Sequence, residues 1–386
     1  MRLCEDWIES YLSYTDPTEP PPDFHYWTGL FVIATVTGRK IFLDRGHYTL
    51  YPNLFIILLA KSALCRKSSA LDIGSRLLNA LNPPIRSFGD TVTAPALLHY
   101  GIELSAKITI CASEMETLIS DVFKTGLSPM LTRLYDSPDY YDGKTVCRGA
   151  ETLKDVYLNI IGATTPEDLG NSVPARKAGG GFASRFVIVH REKPHKRNEQ
   201  VIVDEALWKD LITDLQTIRQ LKGGFVFTTD SKQWYKKWYL DHCNWAEELS
   251  DTPVVLGYHG RKHDLLLKIA MSMQLSRSDN LILDTPILQA ALAMLELNEP
   301  TQMKAYMLIG ASDKGAALQS IKDIIKRHKV IEHSVLMRSV SYKHDAKELN
   351  ELIETLAAER TISITISPRD PKDERRGGGR VYEWRG

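Results

Sequence analysis

The chain lacks net charge. Its 48 lysines and arginines are matched by 48 aspartates and glutamates, which excludes a uniformly basic nucleic-acid sleeve but not local patches. It lacks patterned cysteine too: Cys4, Cys65, Cys111, Cys147 and Cys243 show no C-x-x-C spacing. That excludes a zinc framework and reads as free thiols in a reducing compartment. No run approaches the ~18 uninterrupted apolar residues of a membrane helix. The opening MRLCEDWIESYLSYTD is acidic and aromatic, unlike a secretory leader, so the expected location is the cytoplasm. H-E-x-x-H, G-x-S-x-G and clustered Cys/His are absent, leaving metalloprotease, serine-hydrolase and zinc chemistry without support. The most informative absence is local: between Leu59 and Lys67 there is no glycine.

What is present organises into four stretches. Residues 1–52 read as an N-terminal helical and hairpin region: an aromatic amphipathic helix, the stiff spacer DPTEPPPDFH, a buried helix, and a hairpin turning at Arg45-Gly46. Residues 53–200 alternate apolar runs (53–60, 107–113, 156–163, 182–190) with helical patterns. That alternation predicts a parallel sheet covered on both faces, a three-layer α/β core. Residues 201–299 turn helical, as a lid or bundle. Trp234, Trp238 and Trp245 repeat there at helical spacing, which suits packing better than base stacking. Residues 300–386 give short helices and then SITIS and RVYEW flanking a polar loop, the order of a winged helix.

NLFIILLAKSALCRKSSALDIGSRLL (53–78) runs an apolar strand through a turn into Lys67-Ser68 and a helix. That is the layout of a phosphate loop, which needs backbone N–H groups, a helix N-terminus, a lysine and a hydroxyl for Mg²⁺. Lys61, Ser62, Ala63, Leu64, Cys65, Arg66, Lys67, Ser68 and Ser69 would form it. Lys61 and Arg66 stand where glycines are usual, and left-handed backbone without glycine costs on the order of 1–3 kcal/mol.

Three later features fit the same chemistry. KITICASEMETLI ends its strand at Glu114, placed to order water near Mg²⁺, or only to favour a helix N-terminus. Glu116 is expected to point away. LNIIGATTPEDL ends at Thr164, suited to sense a γ-phosphate, although Thr165-Pro166 also suit a helix start. SVPARKAGGGFASRF offers Arg176, Lys177 and Arg185 around a glycine run; Arg185 is either a finger for a neighbouring subunit or a surface ion-pair partner.

At the other end, KDIIKRHK brings Lys322, Lys326, Arg327 and Lys329, and DPKDERRGGGR brings Lys372, Arg375, Arg376 and Arg380. These cations suit phosphate contact with DNA. Asp370, Asp373 and Glu374 in the same loop leave open a hairpin that packs on protein or faces solvent.

Taken in order, PDFHYWTGLFVIATVTGRKIFL, LYPNLFIILLAKSALCRKSSAL, ITICASEMETLI, NIIGATTPEDL and GGGFASRFVIVH resemble a helicase-like P-loop ATPase family. Phages, plasmids and other mobile elements carry it, often beside a replicative primase, and it was long catalogued as a domain of unknown function. The likeness spans about residues 22–190, and GRKHDLLLKIAMSM extends it.

The resemblance implies a P-loop NTPase core of RecA/AAA type, binding ATP with Mg²⁺. Lys67 would touch the β/γ-phosphates, and Ser68 and Glu114 would serve the metal, with Glu114 as Walker B acid. Thr164 would be the sensor and Arg185 the trans-acting finger of a ring, a hexamer. Arg261 is a looser match to a second sensor, or a surface arginine. DNA and a primase would be partners, and the activity that of a helicase or translocase hydrolase in DNA replication. Lys61 and Leu64 depart from the family's loop, which keeps a second expectation in view: a catalytically weak, nucleotide-gated DNA-binding or scaffold protein. An ATPase of phage defence or DNA packaging would use the same site.

Overall fold

The computed structural model describes residues 2–91, 93–145, 149–173, 181–309, 313–340, 346–366 and 380–385. Arg176, Lys177, Lys372, Arg375 and Arg376 lie outside the described residues. The chain divides into two compact units, Met1–Gly310 and Ala311–Gly386.

The first unit begins with α1 (Trp7–Thr15) and α2 (Pro22–Thr37). Asp6 caps α1 by accepting from the Ile8 and Glu9 amides, and proline sets the first turn of α2. α2 is buried nearly all round because it lies against the sheet on one side and other helices on the other. A hairpin follows, β1 (Ile41–Asp44) and β2 (Thr49–Leu50), with Leu43 paired to Leu50 across the Arg45-Gly46 turn.

Next come β3 (Phe55–Leu59), α3 (Lys67–Ala80), α4 (Ala94–Glu103), β4 (Lys107–Ala112), α5 (Met115–Lys124) and α6 (Ser128–Tyr135). A second hairpin, β5 (Tyr140–Thr145) and β6 (Gly149–Lys154), precedes β7 (Tyr157–Thr164), α7 (Pro166–Ser172) and β8 (Phe186–His190). The four long apolar strands form a parallel sheet in the order β4-β7-β3-β8, flanked by helices. All residues of β3 and β7 are buried. A central parallel strand has apolar neighbours on both faces, so its sequence reads as a run rather than an alternation. Phe88 adds an isolated parallel bridge to Ile110, outside β4. Residues 183–185, expected as the start of the last strand, instead form one 3-10 turn.

The remainder of the unit is α8 (Glu205–Gln220), β9 (Gly223–Phe227), α9 (Thr229–Glu247), α10 (Pro253–His259), α11 (Lys262–Arg277), β10 (Ile282–Leu283) and α12 (Thr285–Leu308). It is not purely helical. β9 and β10 join the N-terminal hairpin in a second sheet, β10-β9-β1-β2, with Ile41 opposite Gly223. Asp214 of α8 accepts from the Leu3 and Cys4 amides, and Trp7 Nε1 donates to the Leu211 carbonyl at 3.0 Å. Residues 1–52 and 201–299 are thus one packed body. No helix of the described residues is long and apolar enough to cross a membrane.

The second unit comprises α13 (Asp313–His328), β11 (Val330–Glu332), α14 (His333–Val340), α15 (Ala346–Ala358), β12 (Ile362–Ile366) and β13 (Arg380–Trp384); the helices and the two last strands were expected, whereas β11 between the first two helices was not. Its antiparallel sheet runs β11-β13-β12 over a core that includes Ile321, Ile325, Leu336, Leu349, Ile353 and Tyr382.

One buried charge sets a pH dependence. Lys268 of α11 is 2% exposed, donates to Asn53 Oδ1 at 2.7 Å, and stands 3.9 Å from the Tyr135 ring centroid. Burial pulls its pKa down to about 7, against the upward pull of Asp264 and Asp136. The unfolded lysine keeps its proton to ~10.4, so the unfolded state binds more protons between these values and this group's contribution to stability rises with pH there. Melting temperatures from pH 7 to 10 are expected to rise more steeply in the native protein than in Lys268→Met. Parallel curves would show that Lys268 keeps an ordinary pKa.

Candidate nucleotide site

The parallel register brings three strand tips to one edge. Leu59 lies opposite Thr164, and Ala112 opposite Gly162, so the segments leaving β3, β4 and β7 converge. Residues 60–66 leave β3 there and enter α3 at Lys67.

The loop achieves its turn without glycine. Ala63 (φ 56°) and Arg66 (φ 48°) take the left-handed conformation, whereas Lys61 and Leu64 do not. The backbone demand therefore falls on one of the two expected positions, Arg66, and on Ala63 rather than Lys61. Ala63→Gly is expected to raise the melting temperature by about 2 °C, since relief of ~1–2 kcal/mol of strain outweighs the ~0.5–1 kcal/mol entropic cost of glycine. Leu64→Gly should lower it, because Leu64 packs against the core from an ordinary backbone position. Thermal melts of the two variants check the opposite signs.

Lys67 Nζ donates to the carbonyls of Ala60 at 2.6 Å and Lys61 at 3.2 Å. Burial lowers its pKa, with the Cys65 thiol and the Asp168 carboxylate acting the other way. Cys65 is fully buried beneath the loop, and Arg66 Nε is paired to Glu19 at 2.6 Å.

A cavity of about 530 Å³ opens at this edge. The loop contributes Ser62, Ala63, Arg66, Lys67, Ser68 and Ser69 to its wall. Ser113, Glu114 and Glu116 line it from β4 and α5, and Thr164, Thr165 and Asp168 from β7 and α7. Lys67, Ser68, Glu114 and Thr164, expected together, all line it; Lys61, Leu64 and Cys65 do not. Glu116 corrects the expectation that it points away: α5 starts at Met115, and its first turn presents Glu116 to the cavity. Partial loss of water, then the Asp168 and Glu114 charges, push the Glu116 carboxyl up. Asp168 was missed, although Thr165-x-x-Asp168 is a helix-start pattern that could have marked it. Thr165 Oγ1 donates to Asp168 Oδ2 at 2.6 Å and accepts from its amide at 3.1 Å.

Thr164 is 5% exposed, and among the described residues its Oγ1 has no hydrogen-bond partner. A buried unpaired hydroxyl costs roughly 1–3 kcal/mol; because Oγ1 is covered, it would meet a ligand oxygen in the cavity only after the side chain rotates. The oxygen donors Ser68 and Glu114 suit a hard cation such as Mg²⁺. Among the described residues, no three His, Cys, Asp or Glu side chains are grouped to hold a metal ion by themselves; Mg²⁺ ordinarily draws several ligands from phosphate and water.

Arg185 lies at the other edge. It precedes Phe186, which pairs with Phe55 at the start of β3, while the cavity adjoins the end of that strand. It is 8% exposed, donates to Gly181 O at 2.8 Å, pairs with Asp136 at 3.3 Å and stacks 5.5 Å from the Tyr135 ring centroid. Arg261 is its neighbour, donating to Ser184 Oγ at 3.2 Å and Gly257 O at 3.0 Å. Burial, then the Arg185 charge, lower its pKa. The structure thus does not bring Arg261 to the loop cavity of its own chain. A larger cavity, about 940 Å³, includes Asn53, Asp136 and Lys268 but none of the loop residues. Its mixed charges are partly spent on one another and on carbonyls, as with Arg39 and Lys268.

In the second unit, Lys326, Arg327 and Lys329 are exposed at the end of α13, and Lys326 Nζ lies 5.6 Å from the Trp384 ring centroid. Lys322 Nζ lies 6.0 Å from the same centroid. Arg380 opens β13 and donates to Asn350 Oδ1 at 3.4 Å. The exposed positions of α15 include Glu348, Glu351 and Glu354.

The class these features define is a mixed α/β protein with a four-stranded parallel sheet and a loop-bearing cavity at one edge. No family model matches the chain, and no curated protein matches it in sequence.

Proposed function

We infer that the cavity binds a nucleoside triphosphate and that the chain is a P-loop ATPase working on DNA, a helicase or translocase of the replication of a phage or other mobile element. The observation that carries this is that Lys67, Ser68, Glu114 and Thr164 line one cavity at the end of the parallel sheet.

Loop amides and the start of α3 would receive the phosphates. Lys67 would exchange its two carbonyl partners for phosphate oxygens, regaining a full charge partner. Ser68 and Glu114 would hold Mg²⁺, which supplies charge neutralisation at the phosphates. Glu114 would orient the attacking water, and Thr164 would donate to the γ-phosphate. Arg185 would have to leave Asp136 and the Gly181 carbonyl to serve the cavity of a neighbouring copy, as a trans-acting finger in a ring such as a hexamer.

The second unit has the element order of a winged helix. The acidic surface of α15 disfavours groove entry by that helix, so phosphate contact would come from Lys326, Arg327, Lys329, Arg380 and the loop bearing Lys372, Arg375 and Arg376. A primase would be a natural partner for such a motor. The test is Mg-ATP hydrolysis by the purified protein with and without single-stranded DNA; DNA-stimulated turnover is expected, and none would overturn the motor. One observation favours the second reading, a nucleotide-gated DNA-binding or scaffold protein: beside Glu114 the β4 tip carries Ser113 rather than a second acid. ATP binding without turnover would select it.

A further inference from the structure

The neutrality of the chain hides a local excess of positive charge. A pocket of about 230 Å³ opens at the starting ends of β4 and β7, where Lys107 pairs with Tyr157, a strand length away from the loop cavity. Lys40, Arg86, Lys107 and Arg219 line it, and no aspartate or glutamate does. Two of these cations are held by the backbone. Lys40 Nζ donates to the Arg219 carbonyl at 2.9 Å, in the last turn of α8, and Arg219 Nη1 donates to the Pro83 carbonyl. The Lys107 stem crosses Gly38, with Cε 3.7 Å from where a Cβ would stand. Among the described residues, none of the four forms an ion pair, and the Arg86 and Lys107 side chains make no hydrogen bond. The ends of α2 and α8 reach this pocket. Each helix end carries about half a negative charge, so together they offset about one of the four cations. The surplus is felt within the cluster: burial, then the charges of Lys107, Arg219 and Lys222, lower the Lys40 pKa.

We propose that this pocket is a second anion site, taking the phosphate group of a small phosphorylated ligand. Its volume lies below the ~300–1,000 Å³ usual for larger ligands, which suits a phosphate ester or a pyrophosphate group. A nucleic-acid strand needs a basic groove that tracks its backbone, whereas these four cations converge on one hollow. Arg86 and Arg219 offer planar forks that can each hold two phosphate oxygens, and Lys40 and Lys107 add point charges. Filling the pocket replaces repulsion among the cations by attraction to one anion. The site shares no lining residue with the loop cavity, so it stands apart from the nucleotide reading.

The test is calorimetric titration of inorganic pyrophosphate, without Mg²⁺ and at fixed ionic strength, into full-length protein carrying Lys67→Ala, which disables the loop cavity as a competing site. Binding of one pyrophosphate per chain is expected. Arg86→Gln with Lys107→Gln should weaken it at least about tenfold, the scale of one lost charge-assisted hydrogen bond. The melting temperature should hold, since both side chains are exposed. Arg86→Lys with Lys107→Arg, which keeps the charges, should bind within a few-fold of the parent. If the double glutamine variant melts early, Lys107→Gln alone replaces it, and a smaller but clear loss is expected. No pyrophosphate binding by the parent, or equal binding by the well-folded glutamine variant, overturns the proposal. Displacement of pyrophosphate by a single-stranded oligonucleotide overturns it too, and makes the pocket part of a nucleic-acid path. None of these outcomes bears on the loop cavity, which binding of a fluorescent ATP analogue by the native protein tests separately.

Discussion

Lys67→Ala is expected to remove nucleotide turnover, by at least about a hundredfold, the scale seen when one positioned charge or donor is taken from a developing anion. The resting structure says why the loss should be chemical rather than conformational. Among the described residues, Lys67 Nζ donates to the Ala60 and Lys61 carbonyls, and the side chain is half-buried. Deleting it forfeits on the order of 1 kcal/mol of hydrogen bonding, a small part of a domain's stability. Hydrolysis by the variant, with and without single-stranded DNA and beside a thermal melt, checks this. Native-like turnover in the variant would move the chemistry away from this loop.

Arg185→Gln is expected to lower turnover about a thousandfold while leaving nucleotide binding intact. A five-residue strand such as β3 spans roughly 17 Å, so an arginine at its far edge cannot reach the loop cavity of the same chain. If Arg185 acts, it acts on a neighbour. Glutamine retains a donor for the Gly181 carbonyl, which limits structural loss. The decisive measurement mixes the two inactive proteins. Lys67→Ala and Arg185→Gln subunits together should recover part of the turnover, because some junctions then pair an intact loop with an intact arginine. Recovery requires that the two residues serve one site from two chains. Without it, Arg185 is a structural ion-pair partner of Asp136.

Much of the core was legible in the sequence because central parallel strands are monotonously apolar. The runs at 53–60 and 107–113 each contain a sheet strand, and the run at 156–163 overlaps one that lies a single residue further on. The fourth run began too early, since Phe182 and Ala183 are buried for packing before the strand starts. β9 escaped notice: Gly223 and Gly224 suppress any strand signal, and Phe42 packs over Gly224 closely enough that a Cβ there would press on its ring. Lys67, Ser68, Glu114 and Thr164 were legible from strand-to-helix junctions. Glu116 was misjudged because one residue of uncertainty in a helix start rotates a side chain by ~100°. Which loop residues would turn left-handed was also hidden, since the handedness at Ala63 follows from the path between β3 and α3 rather than from residue type.

The pairing of β1 with β9 also orders events during synthesis. Ile41 emerges about 180 residues ahead of its partner Gly223. By the time β8 has been made, every strand of the loop-bearing sheet exists, yet β1 still lacks its long-range neighbour. The early hairpin must wait, its outer strand unmatched, until α8 is complete and β9 arrives. Closure over so long a separation adds only slowly to the entropic cost, but it delays the event. For that interval the nascent chain carries an open strand edge capable of pairing with another copy, so early protection of residues 41–44 becomes the vulnerable step in producing the protein.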